Sequence, residues 1–214
     1  MDLSVKILRY NPEKDSKPYF QEYKVPGVAE DWRLLDVLHE IKWKLDGTLT
    51  FRRSCAHGVC GSDGIRVNGK NRLACSILLK DLNYKKTITI EPLPAMPIIK
   101  DLVVDMTSFF QKYEVIKPYL ITKTPPPPDV ERFQTNEDAE KLFESAKCIL
   151  CACCTTSCPS TWTNDNYIGP AALLKTYRFV FDTRDEAPDE RLDLIDNPDG
   201  IWRCHTIFNC IETC

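Results

Sequence analysis

Apolar and polar side chains alternate at both ends of the leading hundred residues. Leu3, Val5 and Ile7 are interleaved with Ser4 and Lys6 in a run reaching Tyr10, and Ile88 and Ile90 alternate with Thr87, Thr89 and Glu91. A period of two is that of a half-buried strand. Between these runs Leu34, Leu35, Val37, Leu38, Ile41 and Leu45 recur at helical spacing, and Asp46-Gly47 supplies a stop. A loop rich in Gly follows from Arg52 to Gly64. A small sheet crossed by one helix, with the loop on its edge, packs these pieces most economically and predicts an α+β domain.

Beyond Pro92, Pro94 and Pro97 the pattern turns helical. Asp101 is placed to cap a helix whose Leu102, Met106, Phe109, Phe110 and Tyr113 share one face and which ends before Pro118. Thr124 to Asp129, with four consecutive Pro, predicts an extended, stiff internal spacer. Thr135 with Asp138 starts a further helix through Lys147, and Pro170 opens another to about Phe181. Residues 182–200 are acidic and read as loop. The change of pattern predicts two domains, 1–100 and 101–214, with no internal repeat beyond a short cysteine pattern that occurs twice in altered form.

Charge adds little to this picture. With 28 basic and 31 acidic residues the net charge of -3 gives no electrostatic case for nucleic acid. No apolar run reaches the roughly 18–20 residues needed to cross a bilayer, so attachment to a membrane is expected through a partner. The 11 Cys change the picture more. The segment from Met1 to Lys6 carries neither an apolar signal core nor an Arg-rich transit sequence, so a reducing compartment is expected, where Cys serves as metal ligand or reactive thiol more often than as cross-link.

Cys148, Cys151, Cys154 and Cys158 stand at the spacing C-x2-C-x2-C-x3-C with Pro159 next, the bacterial ferredoxin run. In that arrangement three thiolates hold one cubane and the fourth serves a neighbouring cluster. The reciprocal run lies at the end of the chain, where Cys204, Cys210 and Cys214 leave Ile207 in the remaining cysteine position. Cys214 then completes four thiolates with Cys148, Cys151 and Cys154, which suits 4Fe-4S. Cys158, Cys204 and Cys210 supply only three, with an apolar corner, which suits 3Fe-4S. A zinc site would need four thiolates in paired knuckles and would leave the interlocked fourth positions unexplained. Cys153, next to Cys154, reads as a small buried hydrophobe.

In the first half, Cys55, Cys60 and Asp63 form C-x4-C-x2-D, with Cys75 further on. Plant-type 2Fe-2S proteins carry C-x4-C-x2-C and a distant Cys. Gly58, Gly61 and Gly64 let backbone N–H groups turn toward cluster sulfides. The spacing leaves two roles open for Asp63, an oxygen ligand or an ordinary Asp-Gly turn residue.

Three clusters of three kinds in this order resemble the iron-sulfur subunits of bacterial succinate dehydrogenase, or complex II. The resemblance spans nearly the whole chain, through Arg9-Tyr10-Asn11-Pro12, Phe51-Arg52-Arg53-Ser54-Cys55, Arg66-Val67-Asn68-Gly69-Lys70, Asp101-Leu102-Val103-Val104-Asp105-Met106 and Arg203-Cys204-His205. It implies a β-grasp, plant-type ferredoxin-like N-terminal domain and an all-α, bacterial ferredoxin-like C-terminal domain. It favours Asp63 as a ligand, since members of that family carry Asp or Cys there. It also implies a role: electrons from a separate FAD-containing flavoprotein subunit pass through the 2Fe-2S, 4Fe-4S and 3Fe-4S clusters to quinone, in the tricarboxylic acid cycle and respiratory chain. The quinone site is implied beside the 3Fe-4S cluster, at membrane-anchor subunits on the cytoplasmic face of the bacterial inner membrane. Pro159, Ser160, Trp162, His205 and Ile207 occupy the matching positions. Two departures stand out. Many members have two adjacent aromatics after the Cys-Pro-Ser, whereas Trp162 is followed here by Thr163. Members also continue past the last ligand, so a truncated C-terminus is expected.

The nearest rival is the corresponding subunit of fumarate reductase, which runs the chemistry in reverse. Asp63 and the respiratory-type segments favour succinate oxidation. A free soluble carrier is a rival of another class, disfavoured because it needs neither the vacant corner at Ile207 nor an apolar patch around Trp162.

Overall fold

The computed structural model describes residues 2–214; Met1, the first residue of the predicted N-terminal domain, lies outside them. The chain forms two compact units that interleave in sequence. One takes everything up to Met106 together with Cys151–Ser157 and Asn209–Cys214, and the other takes Thr107–Leu150 and Cys158–Phe208.

The first unit is built on a five-stranded sheet. Its strands are β1 (Leu3–Arg9), β2 (Tyr19–Val25), β3 (Gly64–Val67), β4 (Lys70–Leu73) and β5 (Ile88–Glu91), in the order β2-β1-β5-β3-β4. Only β1 and β5 run parallel; the other pairs are antiparallel. The alternation read in β1 and β5 is the one the sheet uses, with Leu3, Val5, Ile7, Ile88 and Ile90 buried. Helix α1 (Leu34–Glu40), continued by a π-helical turn over Ile41–Leu45, buries Leu34, Leu35, Val37, Leu38 and Ile41 in the same core. The predicted helical stripe holds as far as Ile41 and its stop near Asp46 holds, but Leu45 is exposed because the last turn is π-helical and carries it off the buried face.

β1 ends on a residue of the wrong polarity for its face: Arg9 is 5% exposed. A buried guanidinium is tolerable only when its donors are met. Arg9 meets Asp101 (2.9 Å), Asp46 (2.5 Å), Thr48 (2.9 Å), Gln21 (3.1 Å) and the Tyr23 hydroxyl. Asp101 also accepts from the N–H groups of Tyr10 (3.0 Å) and Thr50 (2.8 Å). It therefore does not cap a helix, contrary to the sequence reading. It sits at positive φ in the turn between two short strands, β6 (Ile98–Lys100) and β7 (Val103–Val104). Its carboxylate is spent on fastening the segment that leads into the Cys55 loop.

The second unit is helical, and with the sheet of the first it makes the chain α+β. Helices α2 (Thr107–Val115) and α3 (Asn136–Ala146) precede Cys148, and α4 (Cys153–Ser157) belongs to the first unit. α5 (Pro159–Thr163), α6 (Gly169–Val180) and α7 (Pro188–Ile195) complete the set. Thr135 accepts from the Asp138 N–H (3.1 Å) at the start of α3, and Pro170 occupies the first turn of α6, as the sequence predicts. Ile116, Ile168, Ala172, Phe179 and Ile195 form its apolar centre. Two expectations need correction here. The proline segment is not a straight spacer: it turns at Pro128-Asp129, and Glu186 accepts from both the Thr124 N–H (2.8 Å) and Arg132 (3.3 Å). The acidic stretch is not all loop either, because Pro188 followed by Asp189 and Glu190 begins α7.

Candidate metal centres

The β3–β4 hairpin turns through Asn68-Gly69, both at positive φ, the pattern of a tight two-residue hairpin loop. Its register pairs Gly64 with Leu73, so Asp63 at one end meets Ala74 and Cys75 at the other. The Ala74 N–H donates to the Asp63 carbonyl (3.1 Å), and the Cys75 N–H donates to the Asp63 carboxylate (2.6 Å). The Asn-Gly pair is a strong hairpin signal that the strand reading passed over.

Ahead of β3 the loop from Cys55 to Cys60 coils around its own thiols. Cys55 Sγ accepts from the N–H groups of His57 (3.4 Å), Val59 (3.4 Å) and Cys60 (3.3 Å). Cys75 Sγ accepts from Gly58 N–H (3.2 Å), and Cys60 Sγ from Cys55 N–H (3.5 Å). Positive φ at Ala56 and Gly58 turns these donors inward, an arrangement that favours anions. The N–H groups of His57 and then Val59 accordingly bring the Cys55 thiol down to about 6. Burial, and then the Asp63 carboxylate, push Cys75 up to about 11.

Asp63 is 5% exposed, and its Oδ1 is buried with no hydrogen-bond partner while Oδ2 takes the Cys75 N–H. An unmatched buried carboxylate oxygen beside three thiols calls for a cation. Cys55, Cys60, Cys75 and Asp63 Oδ1 thus fit an iron-sulfur cluster with one oxygen ligand.

The same unit carries Cys151, Cys154, Cys210 and Cys214. Leu150 and Ala152 have positive φ, so the chain doubles back around Cys151 before α4 begins. Cys151 and Cys154 are half-buried, while Cys153 is 1% exposed. A hydrogen bond with Cys153 is the first cause that lowers the Cys151 thiol to about 6, and burial adds to the same bond in raising Cys153. Cys153 is buried, as its reading as a small hydrophobe expects. Asn209 donates to the Ser157 carbonyl (3.3 Å), holding the tail that bears Cys210 and Cys214 against the end of α4.

The second unit carries Cys148, Cys158 and Cys204. Cys158 precedes α5, and Ser160, buried in that helix, donates to the Arg203 carbonyl (3.0 Å) next to Cys204. Pro159 is half-buried at the head of α5, whereas Trp162, His205 and Ile207 are exposed. Thr206 and Phe208 both have positive φ, so this stretch also coils.

Residues 4–111 match the family model of a 2Fe-2S iron-sulfur cluster binding domain, and residues 140–214 match that of a 4Fe-4S dicluster domain. The chain is 46% identical to the succinate dehydrogenase iron-sulfur subunit of Coxiella burnetii, across 99% of this chain and 89% of that protein. The chain belongs to the succinate dehydrogenase iron-sulfur subunit family. A mitochondrial member, the succinate dehydrogenase [ubiquinone] iron-sulfur subunit of Candida glabrata, is 47% identical over 98% of this chain and 83% of its own length. In fold the chain is similar to a chain of the Mycobacterium smegmatis Sdh1 complex in the apo form, with a TM-score of 0.84 at 24% identity over 100% of this chain and 87% of the other. Membership makes it an electron-transfer component of an oxidoreductase with 2Fe-2S, 4Fe-4S and 3Fe-4S clusters. No helix among the described residues is long and apolar enough to cross a membrane.

Proposed function

We propose that the chain carries electrons from an FAD-containing flavoprotein subunit to quinone at membrane-anchor subunits, on the cytoplasmic face of a bacterial inner membrane. The observation that carries this reading is the pair of interlocked cysteine runs, one of them interrupted by Ile207, in a chain related along nearly its whole length to succinate dehydrogenase iron-sulfur subunits. When bound, the three clusters supply one-electron chemistry. The first is held by Cys55, Cys60, Asp63 and Cys75, the 4Fe-4S cluster by Cys148, Cys151, Cys154 and Cys214, and the 3Fe-4S cluster by Cys158, Cys204 and Cys210. The five-stranded sheet with α1 packed on it supports a plant-type, β-grasp reading of residues 1–100, and the coiled segments around Cys151 and Cys204 support a bacterial ferredoxin-like reading of 101–214. Succinate oxidation is preferred to fumarate reduction because the relatives at 46–47% identity are named succinate dehydrogenase subunits.

Trp162, His205 and Ile207 are exposed large or titratable side chains near ligands Cys158 and Cys204 in sequence, and they are assigned to the quinone side with Pro159 and Ser160. The Trp162 ring offers an apolar wall to a quinone head group. The His205 ring nitrogens can donate or accept a hydrogen bond. Ser160 has its hydroxyl proton committed to Arg203, so its part is to hold α5 beside the Cys204 segment. In the assembled complex, Trp162→Leu and His205→Ala are expected to lower quinone reduction far more than succinate oxidation read with an artificial acceptor upstream. Equal losses in the two assays would point to damaged assembly instead.

A further inference from the structure

Asn71 lies on β4, on the hairpin that joins Asp63 to Cys75, yet its amide reaches across to a different ligand-bearing segment. Its side chain is 3% exposed, and its amide donates to the Cys153 carbonyl (3.2 Å) and to the Thr156 hydroxyl (2.9 Å). Thr156 passes its own proton to the Ala152 carbonyl (2.9 Å), so one amide ties down the first turn of α4 and the bend before it. A buried amide is not placed between two acceptors without consequence: removing it takes one donor each from the Cys153 carbonyl, which keeps the Ser157 hydroxyl (2.8 Å), and from the Thr156 hydroxyl. The same approach is enforced from Gly64, the neighbour of Asp63. A Cβ at Gly64 would lie 3.0 Å from the Cys151 carbonyl oxygen and 3.3 Å from Cys153 Sγ. The absent side chain is what lets the Cys151 bend seat against β3.

These contacts all lie within the first unit, and they join two ligand-bearing segments that are distant in sequence. Asp63 and Cys75 bracket the β3–β4 hairpin, and Cys151 and Cys154 bracket the segment that Asn71 and Gly64 hold. We propose that Asn71 is a positioning residue for electron transfer between the 2Fe-2S and 4Fe-4S sites: it fixes the Cys151–Cys154 segment against the hairpin that carries Asp63 and Cys75. Gly64 sets how closely the two approach. This rests on the ligand reading given above. Electron tunnelling weakens steeply with separation, so a fastening between the two ligand loops governs the rate without touching either cluster. The role is separate from ligation, because the Asn71 amide is engaged with Cys153 and Thr156 and Gly64 has no side chain.

The test uses the intact complex with Asn71→Ala, Asn71→Ser and Gly64→Ala variants. Each is measured for iron content, for the magnetic interaction between the reduced 2Fe-2S and 4Fe-4S centres, and for the rate of electron passage between them after rapid reduction. Asn71→Ala is expected to keep its iron while the interaction weakens and internal transfer slows severalfold. Asn71→Ser, which keeps a hydroxyl donor, recovers part of both. Gly64→Ala moves both readouts in the same direction with the Asn71 bonds intact. Unchanged interaction and transfer in Asn71→Ala and Gly64→Ala would overturn the proposal. So would loss of both clusters in Asn71→Ala and Asn71→Ser alike with Gly64→Ala unaffected, because Asn71 would then be a folding residue only. Absence of either resonance from the wild-type complex would instead refute the ligand reading on which the proposal rests.

Discussion

A carboxylate oxygen enclosed without a donor destabilises a fold unless a cation meets it, and Asp63 Oδ1 is such an atom. Asp63→Ala is expected to lose or shift the 2Fe-2S resonance while leaving the other two clusters in place, and Asp63→Cys to retain it. An unaltered 2Fe-2S spectrum in the Ala variant would return Asp63 to its turn role. Ile207 poses the opposite case, an apolar side chain where a thiolate would complete the second run. Ile207→Cys restores C-x2-C-x2-C-x3-C, so a 4Fe-4S cluster is expected at that site, with the 3Fe resonance of the oxidised protein diminished. An undiminished 3Fe signal would show that the missing thiolate is not what holds the cluster at three irons. The candidate ligands were legible in the chain because thiolate spacing is local. The orphaned oxygen of Asp63 was not, since it depends on which groups burial brings together.

At the scale of elements, α7 shows what acidic composition conceals. Arg191, in that helix, is fully buried and donates to the carbonyls of Ile116 (2.9 Å), Lys117 (2.6 Å) and Tyr119 (2.6 Å) as well as to Asp185 (2.7 Å). It ends the chain's path after α2 and fixes α7 at once. Arg191→Met takes the charged partner from Asp185, which keeps only the N–H groups of Ile121 and Ala187, and a guanidinium donor from each of three carbonyls, and a loss of about 3–5 kcal/mol is expected from urea unfolding. Burial alone would raise the Asp185 carboxyl, but Arg191 and the N–H groups of Ile121 and Ala187 outweigh it and hold the group below its ordinary 3.8. A depressed folded value contributes stability above the unfolded one, and that contribution fades as the pH falls through the folded value. The variant is therefore expected to unfold at a higher pH than the parent during acid titration followed by circular dichroism. An identical acid midpoint would remove the pair from the account. The strands β1 and β5 and the helices α1, α3 and α6 could be read from period, caps and proline. α7 carried a local start signal in Pro188 with Asp189 and Glu190 that the acidic composition concealed, whereas the hairpin turn at Asp101 could not be read, because its anchor, Arg9, lies far away in sequence.

At the scale of the whole molecule, the chain order of the cysteines is not the order in which they are housed. The unit that contains Cys55, Cys60, Asp63 and Cys75 also takes Cys151, Cys154, Cys210 and Cys214, while Cys148, Cys158 and Cys204 belong to the other. Hydrophobic period and composition change near residue 100, but neither carries a signal that Cys151–Ser157 and the tail are packed with the sheet. Asn71 and Asn209 do that through single amide donors, which leave no periodic trace. On the function proposed above, the cysteines and Asp63 hold three clusters of three kinds. Metal analysis of the anaerobically purified complex tests it most directly: about nine irons per chain are expected from two-, four- and three-iron clusters, with no stoichiometric zinc. Stoichiometric zinc, or iron sufficient for only one cluster type, would contradict the account.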